Sequence, residues 1–558
     1  MKFFFLTILF GGLLLLSACS SDRSKPATED SSRPPTSQSA SKPEFSYDPK
    51  AAGDSLKQWV DSLALKVDFP EIEKKKGAAQ LFAFYQNRNF SPAWGAGTSQ
   101  KLMEIISQID REGLNPSNFP LDALRSLVDS AQSGKVSART GARLDLLLSA
   151  SYLKLADLLA TGKIKADQLS ADWHIKDQVP DTLGVYLQKA VAGQVERSLA
   201  SLRPGFGQYT KLRRHLAQYR RLSAAGGWPT VEAGADLAPG DSSQRIIAVR
   251  RRLAVTGDLD STLAPQQQNA RYDSSLIEAV NRYQQRNGLI VQPEITDRMV
   301  QAMNIPAEDR LTQLMLNLDR IRWISTGPMP PTYALVNIPE YRLHVVEDGS
   351  EVKVMPVVVG KVMNATPVFK DQIEHVEFSP YWNVPTSIAT AELWPKIRAS
   401  RSYLDRNHME ILNGWGNNAR VVSRSSVDWG NLRNYRIRQK PGPWNALGQV
   451  KFMFPNQYAI YLHDTPSEQL FGETRRAFSH GCIRIADPVW FADWILPQFN
   501  RDEVTEKMND RQLEIVKLDQ EIPVYIVYLT AFEDGEGRLN FRPDLYGLDK
   551  RLTPEFDK

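Results

Sequence analysis

The run Ser479-His480-Gly481-Cys482-Ile483-Arg484 holds one of only two cysteines in the chain, and Tyr461-Leu462-His463-Asp464-Thr465 places a histidine nineteen positions before it. A thiol with a pKa of ~8.5 is mostly protonated at neutral pH, and a nearby imidazole raises its thiolate fraction. Acyl transfer needs such a nucleophile, a proton acceptor and donors for the oxyanion. Cys482 fits the first role and His463 the second. Gly481 lets backbone approach a substrate closely, and the N–H groups of Gly481 and Cys482 are natural oxyanion donors, worth ~3 kcal/mol each in other enzymes. His480 is read two ways, as a group with a direct chemical part or as one that shapes the loop. Zinc on His463, His480 and Cys482 is the rival arrangement, but no Cys-x-x-Cys or His-Glu-x-x-His element accompanies them. Neither a metal nor a cofactor is expected.

These residues need a scaffold of strands. After Pro330-Pro331 the apolar period changes from helical to alternating. Tyr333 to Ile338 and Tyr341 to Val346 read as strands, Asp348-Gly349 as a hairpin turn, and Val352 to Val359 as the returning strand. Further strands are expected at His375 to Phe378, Gln457 to Leu462 and Val524 to Leu529. On such a strand Tyr461 shares a face with His463, because side chains repeat every second residue. A long insertion, residues 393–447, carries Trp394, Trp415, Trp429 and Trp444 among many arginines, and reads as a lid or binding loop.

The two segments resemble the signature of the L,D-transpeptidase family: a histidine, an intervening loop, then Ser/Thr-His-Gly-Cys, a hydrophobic residue, and Asn or Arg. Val357-Val358-Val359-Gly360-Lys361 with Thr366-Pro367 resembles the family's strand–Gly–Lys–Thr–Pro stretch, and the likeness covers about residues 330 to 530. The resemblance implies a cysteinyl thioester formed on a tetrapeptide stem of peptidoglycan with release of D-Ala. A diaminopimelate amine on a neighbouring stem would resolve it into a 3-3 cross-link; water would give an L,D-carboxypeptidase, and a protein amine an attached lipoprotein. It further implies that Tyr461, Trp382, Asn383, Ser479 and Arg484 line the substrate cleft, with Arg484 and the lid residues Arg424, Arg433 and Arg438 facing stem-peptide carboxylates. Penicillin-binding proteins and D,D-carboxypeptidases are the expected protein partners. A reading from a different class is a wall-binding anchor with an inactive catalytic fold.

Upstream, residues 51–235 repeat apolar positions at three- and four-residue spacing, as in Leu102-Ile105-Ile106-Ile109 and Tyr152-Leu155-Leu158-Leu159, and read as a helical scaffold. Residues 236–305 read as a compact helical unit, with a stop at Gly257-Asp258, a capping box from Ser275 to Glu278, and a close at Gly288. Its "Leu…Gly-Asp-Leu…Tyr-Gln-x-x-Asn-Gly-Leu" layout resembles the three-helix peptidoglycan-binding domain, with Gln292-Pro293-Glu294 where a glycine-containing turn is usual. The expected fold is therefore multidomain α+β: a helical scaffold, a three-helix module and a β-rich catalytic domain over residues 325–530, followed by a C-terminal tail at 531–558.

At the N-terminus, Lys2 and the apolar run Phe3 to Leu16 read as an export signal over residues 1–18, too short to span a bilayer at ~20 residues. Leu16-Ser17-Ala18-Cys19 resembles a bacterial lipobox, which implies a lipid anchor on Cys19 and, with Ser20 following, the periplasmic face of the outer membrane. Residues 19–50, rich in Ser, Pro and charge, read as a tether. A net charge of +4 over 558 residues gives no concentrated basic face, so nucleic acid is not an expected partner.

Overall fold

The computed structural model describes residues 45–61, 74–134, 136–164, 173–175, 183–260, 268–325 and 327–557. The signal, Cys19 and most of the tether lie outside them. The end of the expected tether is folded: the Ser46 N–H donates to the Ala131 carbonyl at 3.0 Å, and the Tyr47 ring lies so close to Gly141 that a Cβ there would meet it at 2.6 Å. The first helix, Pro49–Asp61, starts inside that segment.

The alternating apolar residues after Pro331 build a sheet of nine strands. Tyr333–Asn337, Arg342–Glu347 and Ser350–Gly360 run antiparallel through the Asp348-Gly349 turn, whose residues both have positive φ. Ser350–Gly360 pairs onward with Ile483–Ile485, then Leu462–His463, Val450–Met453, Phe369–Phe378 and Glu514–Val527, and the last strand returns to Tyr333–Asn337 in parallel. The sheet thus closes into a barrel, with Ala477–Ser479 added beside Ser350–Gly360. Val336, Leu343, Val357, Val376, Phe452, Leu462, Ile483 and Ile526 fill its core. The expected strand from Gln457 to Leu462 is corrected. Asn456 Oδ1 accepts from the N–H groups of Tyr458 and Ile460 (3.0 and 3.2 Å), turning the chain locally, and Ala459 sits at φ +53°, so only Leu462–His463 enters the ladder.

The N-terminal helices share a core that includes Leu56, Leu81, Tyr85, Ile106, Leu148, Tyr152 and Leu159, and they pack around helix Ala138–Thr161, which is buried on every side from Leu144 to Leu153. Tyr209, Leu212, Leu216 and Tyr219 of helix Gln208–Ala224 share the apolar core of the barrel, packed beside helix Ala307–Ile324. That second helix joins the layers: Asp319 accepts the Lys163 and Ile164 N–H groups (2.9 and 3.2 Å), and Trp323 donates to the Thr161 carbonyl at 2.8 Å. Between them, helices Gln244–Val255, Ser274–Arg286 and Asp297–Met303 enclose a core of their own, including Ile246, Leu253, Leu276, Tyr283 and Met299. Asp273, not Ser275 with Glu278, caps the middle helix by accepting the Leu276 N–H at 3.1 Å.

The insertion begins earlier than expected. Trp382–Asn383 already pairs with Tyr435–Gln439, and with Met409–Asn413 and Arg420–Val422 these form a four-stranded sheet over a core holding Leu393, Trp394, Ile397, Ile411 and Ile437. The expected tail is folded too. Ala531–Glu533 and Leu539–Phe541 form a hairpin, helix Leu548–Asp557 follows, and Asn317 and Thr530 exchange hydrogen bonds at 2.8 Å.

Candidate active site

Three strands align Lys451, His463 and Arg484 in one row. His463 pairs with Lys451 on one side and with Arg484 on the other. Side chains two residues apart share a face, which puts Tyr461 beside His463 and brings Cys482, two residues before Arg484, to the same side of the sheet. The rings of Tyr461 and His463 meet edge to face with centroids 5.7 Å apart, and the Ile483 N–H donates to the Tyr461 carbonyl at 3.1 Å.

Cys482 is half-buried and is the one free cysteine among the described residues. Its Sγ contacts the Ala459 carbonyl at 3.5 Å and also hydrogen-bonds with Tyr461. Burial pushes the thiol pKa up; Tyr461, Lys451 and Arg484 oppose that by favouring the thiolate. His463 is buried, and its Nδ1–H donates to the Asp464 carbonyl at 2.5 Å. Burial, followed by the Arg484 and Lys451 charges, pushes its pKa down to about 3. The imidazole is therefore neutral at ordinary pH, with its lone pair on Nε2, and the Leu447 backbone is a second hydrogen-bond partner of the ring. No hydrogen bond joins His463 to Cys482; Sγ faces Tyr461 and Ala459 instead. Transfer of the thiol proton needs a shift of the thiol toward the ring. The Asp464 carboxylate turns away, accepting the Gln449 and Thr465 N–H groups at 2.8 and 2.6 Å.

The Cys482 loop is braced from below. Thr366 Oγ1 accepts the Gly360 N–H at 2.9 Å and donates to the Gly481 carbonyl at 2.7 Å, while the Tyr546 hydroxyl donates to the Gly360 carbonyl at 2.6 Å. This is the physical sense of the Gly-Lys…Thr-Pro stretch. Gly481 has φ +122°, a region that favours glycine, and a Cβ there would come within 3.2 Å of Ile460.

Two expected roles change. Ser479 is buried, and its hydroxyl donates to the Cys482 carbonyl (2.5 Å) and accepts the Gly481 N–H (3.1 Å). It staples the loop instead of facing a cleft, and the Gly481 N–H is committed to it, which leaves the Cys482 N–H as the better oxyanion donor. His480 points out to Glu392 of the insertion, Nε2 to Oε1 2.9 Å. His463, His480 and Cys482 therefore do not converge on a metal, and among the described residues no three His, Cys, Asp or Glu side chains gather as ligands.

Arg484 is half-buried beside the thiol, and its Nε has no hydrogen-bond partner. Trp382 and Asn383 lie in the insertion's sheet, with Trp382 packed on its core and Asn383 exposed. Arg424 donates to the Ile397 and Arg398 carbonyls (2.9 and 2.8 Å), and Arg438 pairs with Glu410, so both are used by the insertion itself. Sequence reasoning missed Lys451, whose Nζ lies 4.4 Å from the Tyr461 ring centroid and 3.3 Å from Glu377. A lysine alternating with Val450 and Phe452 was the available signal. Ala459 and Tyr546 left no such mark.

Residues 331–517 match the family model of the L,D-transpeptidase catalytic domain (YkuD), and residues 79–216 match that of the scaffold domain. Residues 331–517 belong to the L,D-transpeptidase family. A Haemophilus influenzae protein named "Putative L,D-transpeptidase" is 34% identical over 252 residues, which cover 44% of this chain and 50% of that one. The chain thus spans about half the length of this curated relative. An L,D-transpeptidase from Xylanimonas cellulosilytica aligns over 53% of this chain and 98% of its own at 12% identity. L,D-transpeptidase 3 from Mycobacterium tuberculosis, solved with a faropenem-derived adduct, aligns over 36% and 62% at 15%. Both have a TM-score of 0.18, too low to argue from. The L,D-transpeptidase domain is therefore assigned from sequence, and the barrel row Lys451–His463–Arg484 lies inside the matched segment.

Proposed function

We propose that this protein is an L,D-transpeptidase that forms 3-3 peptidoglycan cross-links through a thioester on Cys482. The observation that carries the reading is the common face of Cys482, His463, Tyr461 and Arg484 on the barrel of an L,D-transpeptidase domain. In the proposed reaction the thiol proton passes to neutral His463 as sulfur attacks the carbonyl between the third stem residue and D-Ala. The Cys482 N–H receives the oxyanion. The tetrahedral intermediate collapses, His463 returns the proton to the leaving D-Ala amine, and the thioester remains. A diaminopimelate amine then attacks, losing a proton to His463, and the thiol is regenerated. Arg484, lacking an Nε partner beside the thiol, suits a stem-peptide carboxylate. The insertion would serve as a lid carrying Trp382 and Asn383, and the module of residues 236–305 as a glycan-facing unit.

The remaining context rests on sequence resemblance alone: a lipid anchor at Cys19, the periplasmic face of the outer membrane, and penicillin-binding proteins or D,D-carboxypeptidases as partners that prepare tetrapeptide donors. Incubation with tetrapeptide muropeptides, read by mass spectrometry, tests the reaction. Dimers lacking one D-Ala support the cross-linking reading. Tripeptide monomers would reassign the protein as an L,D-carboxypeptidase, and unchanged muropeptides would make it a wall anchor. Cys482→Ala should abolish every product; turnover at the unaltered rate in that variant would refute the thioester.

A further inference from the structure

His480 lies next to the nucleophile turn, yet its side chain leaves the site. Its Nε2 stands 2.9 Å from Glu392 Oε1 and 3.5 Å from Lys361 Nζ. One ring nitrogen cannot both donate to a carboxylate and accept from an ammonium. The shorter contact decides, so Nε2 carries the proton toward Glu392, and Lys361 stands as a neighbouring charge. Glu392 belongs to the insertion. There Thr386–Ala399 runs helically, but its middle, Ala389–Leu393, adopts the π pattern. Pro395 lacks the N–H that residue 391 would accept in an α-helix, which accounts for the break. Such π turns concentrate at functional sites, and this one carries the residue that reaches the nucleophile loop.

Among the described residues the loop is otherwise held from its own domain. Thr366 holds the Gly481 carbonyl, and Ser479 holds the Gly481 N–H and the Cys482 carbonyl. Glu392 adds a hold from the insertion. We propose that Glu392 and His480 form a latch: seating the insertion draws on His480 and sets the Gly481–Cys482 backbone for attack. Both are positioning residues, and acyl transfer runs fast only while the latch is closed. This rests on the thioester reading above and adds to it the means by which the insertion acts on the thiol.

The test is a double-mutant cycle on the full chain with Glu392→Ala, His480→Ala and the pair. It reads both cross-linking of muropeptides and acylation of Cys482 by a carbapenem, followed by mass. Glu392 and His480 side chains are 42% and 35% exposed, so neither change threatens folding. Each single variant should lower kcat and the carbapenem acylation rate by the same factor, between about tenfold and a hundredfold, the range for a small misplacement of reacting groups. KM should stay unchanged, and the double variant should be no slower than either single one. Glu392→Gln, which keeps an acceptor oxygen, should recover part of the loss. Additive losses, a change confined to KM, or a Glu392→Ala rate equal to that of the unaltered protein would overturn the latch. If the unaltered protein is acylated at Cys482, such a result strikes the latch alone; if it is not acylated there, the thioester reading fails and the latch falls with it.

Discussion

His463 and His344 stand on the same ring of strands, and their surroundings drive them in opposite directions. His463 is buried with no carboxylate against it, and it lies in register between Lys451 and Arg484. His344 lies between two carboxylates, Nε2 3.0 Å from Glu340 and Nδ1 2.7 Å from Glu351. Burial and cations push the first down to about 3; Glu340 and then Glu351, against the pull of burial, raise the second to about 10. The barrel thus keeps one imidazole neutral with a lone pair to offer, and the other charged as a structural cation. The two sites show how one residue type is held as a neutral acceptor or as a charged clamp according to the sign of its neighbours.

The largest effect separates the two by rate. His463→Ala should slow acylation of Cys482 by about 10²–10⁴, the usual worth of base assistance. His344→Ala should leave acylation unchanged and cost about 2 kcal/mol of stability, because buried Glu340 loses a charged partner. Stopped-flow acylation together with urea unfolding checks both, and equal rate losses would erase the contrast. The next effect is on stability against pH. For His344 the folded pKa lies above the ordinary 6.5, so its contribution is complete below pH 6.5 and is lost as pH rises toward about 10. For His463 the folded pKa lies below 6.5, so stability is lost as pH falls from 6.5 toward about 3, where the unfolded chain takes a proton that the folded chain refuses. Unfolding midpoints of His463→Gln and His344→Gln across this range should flatten the acid and alkaline limbs respectively; a swap of limbs would reverse the assignment. The smallest effect lies under the loop. Tyr546→Phe removes the hydroxyl bonded to the Gly360 carbonyl and should cost about 1 kcal/mol in thermal unfolding, with a small loss of rate.

Much of this was readable in the residues. The alternation from Tyr333 to Val359 and the Asp348-Gly349 turn foretold the first hairpins, because period and turn chemistry are local. Cys482 and His463 stood out in the sequence as candidates for nucleophile and base, because few residue types can serve those roles. What was not legible depends on contacts distant in sequence. The chain from Gln457 to Tyr461 has strand-like composition, yet the Asn456 side chain turns it into a loop that holds sulfur. Trp382–Asn383 lay outside every expected strand, and its partner is Tyr435–Gln439, more than fifty residues on. His480 faces Glu392, 88 positions away. The apolar residues of 531–558 are too few in any window to announce a fold, and they gain one against helices Gln208–Ala224, Ser274–Arg286 and Ala307–Ile324.

The brace beneath Cys482 ties the setting of its loop to residues far along the chain. Tyr546 lies past every strand of the barrel, and through Gly360 and Thr366 it supports the turn that carries the thiol. The ring itself closes only when Glu514–Val527 reaches Tyr333–Asn337. A chain emerging from its N-terminus can therefore expose Cys482 long before that cysteine is held in working order. A stretch synthesised after Cys482 completes its support, so a partly emerged chain carries a thiol whose loop is not yet braced.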